Sequence, residues 1–224
     1  MIGVDVKGRE FFRLFLSRDP KTGAKRQPFM HSSVPAPSAD HPEGGRFDLR
    51  SPRGTCTLAS GRLGAWVEVF RGACMVDRRD ARSRRMMQSR VPRRRVLADA
   101  TSRSAIADGV ALDLHAGSNR IDTQRFAAAI DADQAFRGVQ ARARHNPSKS
   151  AHTIALFDDE GEHAPYGWRW NVTMTDPLDD LELLTELAAC GLGVAGVPHD
   201  LSVIVPGQLA VGSSATTQGV DEPA

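Results

Sequence analysis

Cysteine is scarce in this 224-residue chain: Cys56, Cys74 and Cys190 are the only three, and they are widely scattered. Such spacing excludes a disulfide framework and any metal cluster built on closely spaced thiolates. The three read as buried thiols in a reducing compartment. Long apolar runs are missing as well. Nothing approaches the roughly 20 residues that a membrane span needs, and Met1-Ile2-Gly3-Val4-Asp5 lacks the basic-then-apolar order of a signal peptide. The expectation is a cytoplasmic protein that contacts no membrane. Seven histidines show no H-E-x-x-H or similar spacing, so no metal site is expected.

A strong charge of one sign is absent overall, since the net charge is only +2. It is concentrated locally, in residues 78–95 (RRDARSRRMMQSRVPRRR), where Asp80 is the single opposing acid. This run reads as a solvated helix face, with partner or phosphate binding as its second use. It carries no aromatic residue for base stacking, and no zinc-finger or RNP-like pattern occurs, so direct nucleic-acid binding is not expected.

What is present suffices for one domain, because 41% of the residues are hydrophobic. Residues 9–16 alternate loosely and read as a strand with Arg13 on its polar face. Residues 19–45 hold five prolines and read as a long loop. A strand over 55–59 precedes a helix over 63–70 with Ser60 as its cap. Residues 96–101 read as a strand and 104–110 as a short helix. A stronger helix over 125–135 has Asp122 placed to cap it. Strands follow over 153–157 and 168–174. Asp176-Pro177-Leu178 opens a helix over 178–190 with Leu181, Leu184 and Leu187 on its buried face. A last strand over 201–205 closes the domain at residue 206, and 207–224 reads as a disordered tail.

The chemically suggestive stretch is Gly44-Gly45-Arg46-Phe47-Asp48, followed by Gly54-Thr55-Cys56-Thr57-Leu58-Ala59 and Ala65-Trp66-Val67-Glu68-Val69-Phe70. Two glycines let the backbone approach a bulky anion closely, and Arg46 offers a planar fork of donors suited to phosphate. Glu68 sits among apolar neighbours, where an acid is either partnered or kept for chemistry. A surface turn and a structural ion pair are the plain alternative.

The order of these pieces resembles the RES domain, in which a Gly-Arg-Phe turn precedes a Gly-Thr-x-Tyr-Leu-Ala strand and a glutamate follows on the next helix. Gly138-Val139-Gln140-Ala141-Arg142-Ala143-Arg144 is similar to the family's Gly-Ile-x-Tyr-x-Ser-Arg strand, and an apolar strand ending in Leu156-Phe157 follows. The resemblance spans roughly residues 9–160. It departs from the pattern where Thr57 and Ala141 take the family's tyrosine positions and Ala143 its serine.

The resemblance implies an α+β fold like that of ADP-ribosyltransferases, with mixed, largely antiparallel sheets and flanking helices. It also implies a toxin of a toxin–antitoxin pair that destroys NAD by cleaving its nicotinamide–ribose bond, with phosphate or water as acceptor and an antitoxin protein as partner. NAD is then substrate, not cofactor. Arg46 and Glu68 are the catalytic candidates, and Arg13, Arg46, Thr57, Ala143 and Arg144 fall at substrate-binding positions. Two other readings stay open: a degenerate domain that binds a nucleotide or partner without turnover, and an interaction module docking through residues 78–95.

Overall fold

The computed structural model describes residues 1–34, 44–71, 73–103, 105, 120–144 and 150–196. The expected short helix over 104–110, the strand over 201–205 and the tail over 207–224 lie outside these residues, apart from Ala105.

The fold is a mixed α+β arrangement, as expected, built on one eight-stranded sheet. In chain order the strands are β1 (Gly3–Asp5), β2 (Glu10–Leu16), β3 (Ser33–Val34), β4 (Leu49–Arg50), β5 (Arg53–Ala59), β6 (Met75–Val76), β7 (Arg84–Arg90), β8 (Val96–Asp99), β9 (Gly138–Arg142), β10 (His152–Asp159), β11 (Asn171–Thr175) and β12 (Gly193–Val194). The large sheet runs β1-β8-β9-β10-β5-β2-β7-β11, antiparallel throughout except at β8–β9. Two small parallel pairs, β3–β4 and β6–β12, flank it. Four α-helices bear on the site and its cover, α1 (Arg62–Phe70), α2 (Arg78–Arg82), α3 (Arg120–Asp133) and α4 (Leu181–Ala189), and a short 3-10 turn spans Pro165–Gly167.

The strands at the centre are apolar on both faces, which a sheet covered on both sides requires. One face carries Phe11, Phe15, Cys56, Leu58, Met87, Leu97, Ile154 and Leu156 and is sealed by Phe29 and Trp170. The other face is covered by two separate clusters. Phe12, Leu14, Ala59 and Met86 pack against Trp66 of α1 and Leu183 and Leu187 of α4. Ala98, Val139, Ala141, Ala155 and Phe157 pack against Ala127 and Ile130 of α3. The gap between α1 and α3, over β5 and β10, is where the candidate site lies.

Several local expectations are corrected. Residues 78–95 are not a helix face: α2 is only five residues long, and β7 follows as an internal strand with Met86, Met87 and Ser89 buried. The apolar Met86 and Met87 pull the segment into the sheet, while the arginines keep their charge at its margins. Arg84 lies over the Phe70 ring, Arg85 reaches Asp176 at 3.4 Å, and Arg90 pairs with Glu10 at 2.7 Å.

Ser60 does not cap α1, because its Oγ accepts a hydrogen bond from the His152 backbone N–H and ties the strand end to β10; Gly61 is the N-cap. Asp122 lies inside α3, which begins at Arg120, and it pairs with Arg125 at 3.5 Å. Asp176 accepts from the Leu178 N–H in a turn, and Asp180 caps α4 by accepting from the Leu183 N–H. That later start rotates the buried stripe onto Leu183 and Leu187 and leaves Leu181 exposed. Of the cysteines only Cys56 is buried; Cys74 and Cys190 are exposed.

Candidate active site

The turn presenting Arg46 is held on three sides. Gly44 has φ +81°, a left-handed conformation that favours glycine, and a Cβ there would meet the Val34 side chain and the Asp48 carboxylate. The Gly45 N–H donates to Asp48 Oδ2 at 2.7 Å, closing the turn on itself. From α3, Arg120 Nη1 donates to Gly44 O at 2.7 Å and Gln124 Nε2 donates to Gly45 O at 3.0 Å. The glycines thus serve close packing of the turn as well as ligand approach. Burial raises the Asp48 carboxyl above the ordinary range, with the Gly45 N–H acting against it.

From this turn the Arg46 side chain, only 9% exposed, runs over the Phe47 ring to the sheet. Its Nη2 donates to Arg142 O at 3.2 Å and to Thr153 Oγ1 at 3.4 Å. Glu68 arrives from the opposite wall on α1, whose inner side buries Gly64, Ala65, Trp66 and Val67 against β2 and β5. Glu68 Oε1 accepts from Thr153 Oγ1 at 2.7 Å and lies 3.8 Å from Arg46 Nη2. At that separation charge and guanidinium attract each other without a direct hydrogen bond.

Together these residues line a cavity of about 370 Å³ whose walls are Gly44, Gly45, Arg46, Phe47, Thr57, Glu68, Arg71, Arg120, Arg144 and Thr153. Four guanidinium groups face it and one carboxylate. Burial lowers the Arg46 pKa, Glu68 opposes that shift, and the like charge of Arg144 adds to it. A cavity in which cations crowd one another is suited to an anion that relieves the repulsion.

The expected residues divide between two places. Arg46, Thr57, Glu68 and Arg144 share this cavity. Arg13 borders an adjoining cavity of about 260 Å³ that also touches Gly45, Thr57 and Glu68. Its Nη1, however, donates to Pro28 O, Met30 O and Cys56 Sγ on the packed face of the sheet. The register explains this, since Arg13 is paired with Met87 of that face and serves loop carbonyls there. Arg13 is therefore not on a solvated polar face. Ala143 does not line the cavity; its N–H donates to Ala151 O.

Three lining residues escape a reading of motifs alone. Thr153 heads a strand whose same-face neighbours, Ala155 and Phe157, are apolar, so a polar residue at that position is the available signal. Arg120 precedes the expected helix start. Arg71 ends α1 in the left-handed conformation, at φ 51°, with its N–H bonded to Val67 O.

No family model and no curated protein matches this chain. Among solved structures it is similar to a chain in the crystal structure of the M. tuberculosis MbcT-MbcA toxin-antitoxin complex. What the two share is a fold. The alignment covers 81% of this chain and 91% of that one, with a TM-score of 0.50 and 15% sequence identity. Among the described residues no helix is long and apolar enough to cross a membrane, and no group of three or more histidine, cysteine, aspartate or glutamate side chains is placed to hold a metal.

Proposed function

We propose that the protein is a RES-type toxin enzyme that degrades NAD by cleaving the bond between nicotinamide and ribose. The observation that carries this reading is the convergence of Arg46 and Glu68, 3.8 Å apart, on one cationic cavity. The likeness of fold to a chain from a toxin–antitoxin complex supports it, and with it the expectation of an antitoxin protein as partner.

In this reading Arg46, Arg144 and the rim residues Arg71 and Arg120 hold the diphosphate, for which guanidinium forks are suited. The C–N bond breaks with its electron pair going to the nicotinamide nitrogen, so the base leaves neutral and needs no general acid. Positive charge develops on the ribose, and the Glu68 carboxylate stabilises it as carboxylates do in glycosidases. An oxygen of phosphate or water then bonds to the anomeric carbon; where water is the acceptor, its proton is released to solvent.

Nicotinamide release from NAD, followed with and without inorganic phosphate, tests the reading. The purified protein is expected to turn over, and Glu68→Gln to lose about 10²- to 10³-fold in rate, the usual cost of removing charge stabilisation. A second reading is favoured by Thr57, Ala141 and Ala143, which replace two phenolic side chains and a serine of the family's pattern: a domain that binds a nucleotide without turnover. Calorimetry showing NAD bound and unconsumed selects it.

A further inference from the structure

We infer that Thr153 is the positioning residue of this site, fixing the Glu68 carboxylate and standing between it and Arg46. The inference rests on the NAD-cleaving reading above and adds to it a hydroxyl that position 143 lacks.

Thr153 is 2% exposed, at the start of β10. Its register partners are Ala141 on β9 and Ala59 on β5, so methyl groups flank it along the sheet. The hydroxyl is directed to the site instead: it donates to Glu68 Oε1 at 2.7 Å and accepts from Arg46 Nη2 at 3.4 Å. A threonine hydroxyl has one hydrogen to give. With that hydrogen committed to Glu68, only lone pairs face Arg46, and the relay has one direction, from Arg46 through Thr153 to Glu68. Branching at Cβ restricts the side chain to few rotamers, so the relay is rigid.

This arrangement has a chemical consequence. Direct, bidentate pairing with Arg46 would spend the carboxylate on a resident cation and leave little for a developing one. Interposing a neutral hydroxyl holds the carboxylate in place while keeping the two charges 3.8 Å apart. The carboxylate is thereby oriented before substrate arrives, which is the condition for electrostatic stabilisation of a transition state.

The test compares Thr153→Val and Thr153→Ala, which remove the hydroxyl, with Thr153→Ser, which keeps it. Two quantities are read: kcat and KM for nicotinamide release, and the ¹³C carboxyl signal of Glu68 in glutamate-labelled protein at pH 7, assigned through Glu68→Gln. Loss of one hydrogen bond to a charged group predicts about a 10- to 100-fold fall in kcat with KM nearly unchanged for Val and Ala. Ser is expected to recover most of kcat, and the Glu68 signal to move in Val and Ala but not in Ser.

Unchanged kcat in the hydroxyl-free variants, equal damage in all three, or an unmoved Glu68 signal would each overturn the inference. Should wild-type protein release no nicotinamide, the functional reading falls. The carboxyl signal then decides by itself whether Thr153 holds Glu68: movement in Val and Ala supports that, and no movement overturns it.

Discussion

The two faces of the large sheet are built from the same strands and have opposite characters. On the packed face Phe11, Phe15, Leu58, Met87, Leu97, Ile154 and Leu156 form one continuous apolar layer. On the helical face the apolar cover comes in two pieces, under α1 with α4 and under α3, and between them β5 and β10 present Thr57 and Thr153. A strand alternates its side chains, so one residue decides which face it serves: Ile154 seals the core and Thr153, its neighbour, floors the cavity. The site thus arises where helical cover stops, on a scaffold made stiff by the other face.

This contrast predicts that substitutions in the packed layer cost stability, whereas those lining the gap on the helical face cost function. The largest effect expected is for Phe11→Ala, fully buried in the apolar layer, which should destabilise the fold by about 3 to 5 kcal/mol in urea unfolding. Glu68→Gln should shift the same midpoint far less, since its side chain is 25% exposed at a cavity wall.

The next effect concerns His31, fully buried with neither ring nitrogen hydrogen-bonded among the described residues, and stacked on His163 at 4.6 Å. Burial, with His163 and Arg13 nearby, lowers its pKa from 6.5 to about 4. Between these values the unfolded chain binds a proton that the folded protein refuses, so stability falls as pH drops from 6.5 to 4 and is unaffected by this group above that window. The ceiling is about 3 kcal/mol, at roughly 1.36 kcal/mol per unit. His31→Phe should lessen the loss of thermal midpoint between pH 7 and pH 5; an identical loss in wild type and variant would assign the acid sensitivity elsewhere.

A smaller effect is expected at Gly44. Gly44→Ala should cost about 1 to 2 kcal/mol, because φ is +81° and Val34 blocks the new methyl. It should also loosen the Arg46 turn, so that nicotinamide release drops more than stability suggests. Smallest is Arg71→Gly, which relieves a left-handed non-glycine residue and should stabilise α1 by up to about 1 kcal/mol while weakening binding of an anionic ligand.

Much of the frame was legible because it follows from period and punctuation. The strands read over 9–16, 55–59 and 153–157 fall within a residue or two of β2, β5 and β10, and they and the helix carrying Glu68 announce themselves through apolar patterning and glycine. Residues 78–95 misled because ten positions of charge outweigh two methionines in composition, whereas burial depends on where Met86 and Met87 point. The α4 stripe shifted because Asp176 and Asp180 both suit a cap, and only tertiary packing chooses between them.

The candidate cavity was legible where local motifs carry it, at Arg46, Glu68 and Arg144, and hidden where pairing between distant strands creates it. Thr153 meets Glu68 across 85 residues of chain. Arg13 shows the reverse case: its strand was recognisable, but the face it serves is fixed by pairing with β7.

The most direct test of the account is a time course of nicotinamide release from NAD by wild-type protein and Glu68→Gln side by side, in phosphate buffer. The account predicts steady release by wild type and at least a hundredfold slower release by the variant, with both proteins folded alike. Equal rates in the two, or no release by a correctly folded wild type, would contradict it.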